Sequence, residues 1–238
     1  MNSFVTTAGV YRDGRYLEKH PRWHTEHSSW KAAQVIRMIE RAELKRMAAS
    51  VCEVGCGAGQ VLRQIQKVLA PDCSLLGVDI SPQAIAMCRQ HGDPRLRFEL
   101  IRDETEIPEG FDLLVAVDVI EHVEDYLGFL RCLRAKARYK IFHVPLDLSV
   151  QSVLRRSGLI ERRESHAHLH YFTKDTFLRA LADTGYEVKD VFYSKRSIEI
   201  GSGIAQRIVS LPRSAGFRIN PDLTARVLGG FSLAVLAV

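Results

Sequence analysis

The sequence predicts an α/β fold with a doubly wound, mostly parallel sheet covered by helices on both faces. Two observations support this prediction. Apolar segments typical of buried strands alternate along the chain with segments of helical periodicity. The apolar segment 50–55 also runs into three alternating glycines and then a helical pattern, which is typical of a strand, turn and helix in a parallel sheet.

The apolar patterns predict strands near 50–55, 74–80, 96–101, 111–119, 138–144, 186–193 and 230–238. The helical patterns between them predict helices near 60–69, 82–91, 124–136 and 174–184. Ser81 and Thr173 are good first residues for two of these helices, and Gly185 is a good terminator for the last. Periodicity alone does not give the order of the strands.

A ligand-binding turn is predicted where the first strand ends. Gly55, Gly57 and Gly59 let the backbone take left-handed conformations and approach a bound molecule closely. The helix that begins at Gln60 directs unpaired amide groups at the same place. Asp79 ends the second predicted strand, where a carboxylate can accept hydrogen bonds from a ribose diol. The pattern therefore predicts a ligand that contains a nucleoside.

The spacing of the glycines separates two kinds of nucleoside ligand. A dinucleotide fingerprint, G-x-G-x-x-G, requires a third glycine at position 60, where this chain has Gln60. Glu53 adds an anion beside the turn, which favours a positively charged ligand over a pyrophosphate. S-adenosylmethionine meets this requirement because it carries a sulfonium and an amino group.

Three segments in register resemble the class I S-adenosylmethionine-dependent methyltransferases. They are EVGCGAG at 53–59, GVDIS at 77–81 and FDLLVAVDVIEHV at 111–123. A looser fourth match is HLHYFT at 168–173, and the resemblance covers roughly residues 50 to 195. It implies a Rossmann-like sheet of seven strands with the last strand antiparallel, S-adenosylmethionine as the cofactor, and a small molecule as the methyl acceptor.

The same resemblance implies roles for individual residues. Glu53 would hold the methionine end of the cofactor, Asp103 would meet the adenine amino group, and Asp118 would face the methionine portion. Because Asp103 has acidic neighbours, a surface acidic loop is the alternative there. The predicted cofactor-binding residues are Glu53, Gly55, Cys56, Gly57, Gly59, Asp79, Ile80, Asp103 and Asp118.

Histidines are the candidates for catalysis because a hydroxyl acceptor must lose a proton. His143 is the first choice, since it ends the fifth predicted strand at the carboxyl edge of the sheet. His122 and His168 are the reserves, and a structural role is the alternative for each. Histidines at 166, 168 and 170 alternate as metal ligands on a strand can, but no carboxylate cluster accompanies them in the sequence. No metal is therefore predicted.

Composition bounds the class of protein. With 238 residues, 46% hydrophobic and 26% charged, the chain is long enough for one soluble catalytic domain. No apolar run is long enough to span a membrane, and the first residues lack a signal-peptide pattern, so a cytoplasmic location is predicted. The five cysteines lack C-x-x-C spacing and are predicted to be reduced. The net charge of +5 comes without a nucleic-acid-binding motif, so nucleic acid is not a predicted partner.

One methyltransferase domain is predicted over 1–238, with its cofactor-binding core at 49–195. Residues 1–48 are predicted to form a lid and an amphipathic helix near 29–47, and 146–170 and 194–226 to form substrate-side segments, because long segments at strand ends often cover binding sites. Pro212 and Pro221 are expected to break the last segment. The oligomeric state stays open.

The predicted function is transfer of a methyl group from S-adenosylmethionine to a small molecule, at an oxygen atom. The alternatives are an N- or C-methyltransferase of the same fold, a nicotinamide-dependent oxidoreductase, and a non-catalytic module that binds S-adenosylmethionine. Gln60 and the lack of a Tyr-x-x-x-Lys pattern disfavour the oxidoreductase. An assay with labelled cofactor separates the others.

Overall fold

The computed structural model describes residues 7–21, 23, 25–90, 93–155, 158–200 and 204–238. Parts of several predicted segments therefore lie outside the described residues. They are residues 1–6, Arg22 and His24 of the predicted lid, residue 91 of the second predicted helix, residues 156 and 157 of the predicted segment 146–170, and residues 201–203 of the predicted segment 194–226.

A seven-stranded sheet forms the centre of the fold, with the strand order β3-β2-β1-β4-β5-β7-β6. β7 runs antiparallel to both β5 and β6, while the other pairs are parallel, so the predicted fold class is confirmed. The strands are β1 (Ser50–Val54), β2 (Ser74–Asp79), β3 (Leu96–Leu100), β4 (Phe111–Val117), β5 (Ala137–Pro145), β6 (Val188–Ser194) and β7 (Ser232–Ala237).

Twelve α-helices lie within the described residues. Short 3-10 turns at Thr25–His27, Gln66–Val68, Glu104–Glu106 and Ile120–His122 supplement them. The helices are α1 (Thr7–Arg12), α2 (Arg15–Lys19), α3 (Ser28–Arg41), α4 (Gln60–Ile65), α5 (Pro82–Arg89), α6 (Tyr126–Lys136), α7 (Val150–Leu154), α8 (Gly158–His166), α9 (Lys174–Asp183), α10 (Arg196–Glu199), α11 (Ile204–Ile219) and α12 (Pro221–Leu228).

The hydrophobic core lies on both faces of the sheet, because successive strand residues point to opposite faces. On β1 and β4, Val51 and Leu113 pack into one half of the core, with Met38 and Ile39 of α3. Their neighbours on the same strands pack into the other half, with helices α6 and α9. Such double coverage is why the strands read as nearly continuous apolar runs.

Helix α3 is shorter than predicted, since it ends at Arg41 and not near residue 47. Glu43 takes a left-handed conformation with φ of 57°, and the Leu44 amide turns back to the Ile39 carbonyl. This geometry closes the helix with an αL turn of the kind that glycine usually supplies. The sequence carries no glycine there, so the terminator was not visible in it.

The expected break at Pro212 is wrong. Helix α11 runs through Pro212 and packs against α12. The two helices are so close that a Cβ added to Gly216 of α11 would lie 2.7 Å from the hydroxyl oxygen of Thr224 in α12. Packing between two helices can outweigh the hydrogen bond that an interior proline removes. Pro221 fits the prediction better, because it stands at the first turn of α12. No helix in the described part of the chain is long and apolar enough to cross a membrane.

Candidate active site

A cavity of about 540 Å³ opens at the carboxyl ends of β1, β2 and β4. Because β1 lies between β2 and β4, this is the point where the strand order reverses and ligands of open α/β sheets bind. The volume falls within the range of small-molecule sites, about 300–1,000 Å³. Nearly all of the predicted cofactor residues line the cavity, and only Gly59 stands behind the lining.

The glycine turn has the predicted conformation. Gly55, Gly57 and Gly59 all have positive φ, at 70°, 52° and 74°. The amides of Gly55 and Cys56 donate to the Val78 carbonyl at 2.9 and 3.1 Å, which ties the turn to β2. Each glycine also touches a side chain that a Cβ would strike, such as Trp23 at Gly57. The turn therefore needs glycine both for its conformation and for space.

Gly59 allows these two requirements to be separated. A Cβ there would approach Phe98 to 2.8 Å and the Cys88 sulfur to 3.0 Å, whereas Gly110, with φ of 88°, has nothing within 4 Å. We expect Gly59→Ala to lower the free energy of unfolding by about 2–4 kcal/mol and Gly110→Ala by about 1–2 kcal/mol, since only the first adds crowding to backbone strain. Urea denaturation measures both, and equal losses would contradict the packing described.

Glu53 lies at the floor of the cavity and is 2% exposed. Its carboxylate accepts a hydrogen bond from the Leu62 amide at 3.1 Å, in the first turn of α4. Burial, and next the nearby Cys88, raise the pKa of Glu53 well above its ordinary value. The side chain is therefore anchored to the helix that follows the turn, while its position on the lining leaves it within reach of a cationic group.

Asp79 holds the glycine turn in place. Its carboxylate accepts from the Gly57 amide at 2.9 Å and from the Ser81 amide at 2.8 Å. Burial raises the pKa of Asp79, although these amide donors oppose the rise. Ser81 caps α5 by accepting from the Ala84 amide, as predicted, and Ile80 lies on the cavity wall. Asp79 thus joins β2, the turn and the next helix at one point.

Asp103 lies at the exposed rim of the cavity. Its carboxylate accepts from the Thr105 amide at 2.9 Å and from the Thr105 hydroxyl, which caps the 3-10 turn Glu104–Glu106. These hydrogen bonds lower the pKa of Asp103. Asp103 therefore belongs to an exposed acidic loop that also borders the cavity, and its contact with the adenine amino group stays a prediction.

Asp118 follows β4 and is the centre of a polar network. Its carboxylate lies 2.9 Å from the Lys31 ammonium and 2.8 Å from His143 Nδ1, and its φ of 52° turns the chain sharply at the strand end. Burial acts to raise the pKa of Asp118, but Lys31 and His143 together lower it well below the ordinary value. The Asp118 carboxylate is therefore already paired with a cation of the protein, the Lys31 ammonium.

The structure does not bring His143 to the cavity, contrary to the role predicted for it. The side chain is 1% exposed and both ring nitrogens are engaged, Nδ1 with Asp118 and Nε2 with the Ser194 hydroxyl, each at 2.8 Å. Trp30 of α3 covers the ring at a centroid distance of 5.6 Å. A base needs a free lone pair within reach of the acceptor. This geometry favours a positioning role for His143, which orients Asp118.

Glu121, His122 and His168 form a second polar cluster, and all three line the cavity. The rings of His122 and His168 lie edge to face with centroids 5.0 Å apart. Burial, and next Asp118, raise the pKa of Glu121 well above its ordinary value. Burial, and next His168, lower the pKa of His122 to about 3. The reserve histidines are thus the ones that face the cavity.

Aromatic side chains of the N-terminal segment form part of the cavity wall. Tyr11, Tyr16 and Trp23 line it, and Tyr16 is 8% exposed. His20 joins this segment to α8, since its Nε2 lies 2.8 Å from the Ser165 carbonyl oxygen. The N-terminal segment and α8 are therefore joined beside the cavity, which Tyr16 and His166 both line.

The sequence predicts no role for two residues of the site, Lys31 and Glu121. Lys31 sits on an amphipathic helix far from the motifs, and no local signal links it to Asp118. Glu121 stands in the same segment as His122 and was given no role. Glu121 follows Asp118 by three residues, so the sequence places it close to the end of the fourth strand. Only the structure shows that its carboxylate oxygens have no hydrogen-bond partner among the described residues.

A parallel sheet with a glycine turn after β1 and an acidic residue at the end of β2 defines a nucleoside-binding fold of the class I methyltransferase type. A sequence model of the family described as a methyltransferase domain matches residues 23–191. The chain belongs to this methyltransferase family, which confirms the resemblance identified in the sequence.

Curated relatives and solved structures agree with this assignment. The chain is 34% identical over 95 residues to the mitochondrial ubiquinone biosynthesis O-methyltransferase of Schizosaccharomyces pombe, a match that covers 37% of this chain and 34% of that protein. It is 33% identical over 112 residues to the ubiquinone biosynthesis O-methyltransferase of Bradyrhizobium diazoefficiens, covering 45% of this chain and 40% of that protein. The chain thus spans between a third and a half of the length of these relatives.

Among solved structures, the magnesium protoporphyrin IX methyltransferase of Synechocystis PCC 6803, a structure with bound S-adenosylmethionine, superposes with a TM-score of 0.62 at 13% identity. The match covers 100% of this chain and 99% of that one. At this identity the likeness establishes the fold, and it extends over the whole chain.

Proposed function

We propose that this protein binds S-adenosylmethionine in the cavity at the carboxyl edge of the sheet and methylates a hydroxyl oxygen of a small molecule. One observation carries the proposal: the glycine turn, Asp79 and the cluster of Glu121 and two histidines all line a single cavity. A cofactor site and a polar site for an acceptor are therefore side by side.

The residues at the floor of the cavity fit the cofactor. The left-handed turn from Gly55 to Gly59 allows close approach of a ligand, and Asp79 has carboxylate lone pairs beyond the two amide contacts it makes, which suits a ribose diol. Glu53 adds a second acidic group. S-adenosylmethionine supplies an electrophilic methyl group on a positively charged sulfur. Acidic side chains around that charge favour its binding.

The acceptor would lie at Glu121, His122 and His168, which line the cavity together. The His122 ring lies 5.9 Å, centroid to centroid, from the Tyr11 ring. His122 Nδ1 faces the Ala167 carbonyl at 3.2 Å and must donate to it, so Nε2 keeps its lone pair for a proton or another electrophile. The oxygen preference is supported by the two relatives described above, both of which are named O-methyltransferases. A cytoplasmic location and the absence of a nucleic-acid partner stay predictions.

The test is incubation of the full chain with methyl-labelled S-adenosylmethionine and matched acceptors, namely catechols, phenols, anilines and aliphatic amines. We expect label in O-methyl products. Labelled N-methyl products alone would replace the oxygen assignment by a nitrogen one. Binding of the cofactor with no transfer to any class would favour a non-catalytic module.

Replacing Asp79 tests the cofactor site. Asp79→Ala removes a carboxylate that both fixes the Gly57 amide and faces the cavity, so we expect S-adenosylmethionine to bind more weakly by about 1.5–3 kcal/mol, the range for hydrogen bonds to a charged group. Asp72→Ala, at an exposed position two residues before the same strand, is the matched control. Calorimetry on folded proteins gives both affinities, and unchanged binding in the Asp79 variant would remove its proposed role.

A further inference from the structure

Glu121 has an unusual environment. Its side chain is 0% exposed, and within the described residues neither carboxylate oxygen has a hydrogen-bond partner. Leaving a buried carboxyl group without a partner is costly, because no hydrogen bond replaces those it makes with water. Buried polar groups without partners are rare in proteins and indicate an ion, a water or a ligand at the group. Glu121 faces the cavity, so such a group has room.

The hydrogen-bond partner of His122 determines which of its nitrogens is free. Nδ1 lies 3.2 Å from the Ala167 carbonyl oxygen, and a carbonyl can only accept. The proton is therefore on Nδ1, and Nε2 carries a lone pair. Nε2 lies 3.8 Å from Glu121 Oε1, too far for a hydrogen bond but suitable for two atoms that share a third partner.

His168 is oriented in the same manner by a carboxylate. Its Nδ1 lies 2.6 Å from Asp147 Oδ2, and Asp147 is itself buried and paired with Arg162 at 2.9 Å. Because Asp147 is paired with a cation, it acts as the acceptor, which leaves the lone pair of His168 on Nε2. A carboxylate that holds the remote nitrogen of a histidine is the usual support for a metal-binding histidine.

The backbone brings the three side chains together. The amides of Leu169 and His170 donate to the Glu121 carbonyl at 2.7 and 3.1 Å, which fixes the segment after α8 beside the 3-10 turn Ile120–His122. Ala167 has a φ of 61° and turns the chain there. As a result, one ligand atom from each of Glu121, His122 and His168 lies within 4.8 Å of the others.

We propose that Glu121, His122 and His168 bind one divalent transition-metal ion of the zinc type, at the acceptor end of the cavity. Two imidazoles and one carboxylate match the donors that zinc takes in sites with an open position, whereas Mg²⁺ prefers oxygen ligands alone. The site differs from the sequence prediction, which had no metal because no carboxylate cluster accompanies the alternating histidines. Glu121 and His168 are 47 positions apart in the sequence and come together only in the fold.

The proposed ion would also have a chemical role in methyl transfer, and that role rests on the proposed function. An acceptor hydroxyl bound to the ion would have a lowered pKa, as water bound to zinc does. Its proton would pass to solvent, and the oxygen would keep its electron pair and form a bond to the methyl carbon. The carbon–sulfur bond would break with its electrons on sulfur, and S-adenosylhomocysteine would leave. The cluster would thus serve a hydroxyl acceptor better than an amine, since an amine has its lone pair already and would lose it to the ion.

The experiment is calorimetric titration of the chelator-treated full chain with Zn²⁺, without acceptor. We expect one ion per chain for the native protein. Glu121→Gln and His168→Ala should bind it more than about 100-fold more weakly, since even the loss of an outer-shell partner costs about 10- to 100-fold. The control His27→Gln changes another histidine on the same cavity wall and should keep the native affinity.

Thermal unfolding provides a second measure of Zn²⁺ binding, which can still be read if a variant is less stable than the native protein. Excess Zn²⁺ should raise the unfolding temperature of the native protein and the control, because it binds only the folded state, and should not raise that of Glu121→Gln. A native protein that does not bind Zn²⁺, or variants that bind it equally well, would overturn the site. Zn²⁺ binding without methyl transfer to any acceptor would support the site and reject the proposed function, so the two failures are distinguishable.

Discussion

Removal of residues 1–27 is expected to lower the turnover rate by more than about 100-fold, the loss typical of misplaced reacting groups. Tyr11, Tyr16 and Trp23 form the wall of the cavity that faces the glycine turn, and Trp23 contacts Gly57 directly. Without them the methyl-transfer site would be open to water, and the acceptor would lose its apolar surface.

The truncated protein should still fold. Helix α3 begins at Ser28, and its residues Met38 and Ile39 form part of the core, so the cut leaves the sheet and its cover intact. Circular dichroism and urea denaturation check this point. The single variant Trp23→Ala gives a milder version of the same change. A folded truncated protein that methylates its acceptor at the native rate would show that the segment is not a lid.

The second large effect is expected at His122. His122→Ala should lower kcat by about 10²- to 10⁴-fold, the usual contribution of a group that handles the acceptor proton. The affinity for S-adenosylmethionine should change little, because the hydrogen bonds described for the glycine turn and Asp79 run to Val78, Gly57 and Ser81 and not to His122. A loss of this kind follows whether Nε2 takes the proton itself or holds an ion that acidifies the hydroxyl.

His143→Asn is the matched control for His122. An asparagine amide can still donate to Asp118, and the ring that is lost lies outside the cavity lining. We expect kcat of this variant to fall less than about tenfold, well below the loss that removing a general base produces. Single-turnover kinetics compare the two variants. A larger loss at His143 than at His122 would reverse the assignment and restore the one made from sequence.

The cofactor half of the site could be predicted because its signals are local. The conformations of Gly55, Gly57 and Gly59 depend on the turn itself, and Asp79 is fixed by the strand that carries it. Ligands of open α/β sheets bind outside the carboxyl ends of the strands, so the position of the cavity could also be predicted.

The acceptor half could not be predicted in the same way, because its environment is made by distant segments. His143 does end a strand at the correct edge, but Trp30 covers its ring and Ser194 occupies its second nitrogen. Glu121 and His168 meet only because backbone hydrogen bonds join the segment after α8 to the turn after β4. Strand-end position indicates which edge a side chain is on, and not whether another element has already covered it.

Calorimetric titration of the native chain with S-adenosylmethionine and, separately, with NAD tests the central claim most directly. The positive-φ glycine turn lacks a glycine at position 60, and two buried acids, Glu53 and Asp79, line the cavity, which favours a cationic nucleoside over a pyrophosphate. We expect saturable one-to-one binding of S-adenosylmethionine and much weaker binding of NAD. Tighter binding of NAD than of S-adenosylmethionine would contradict the proposed function.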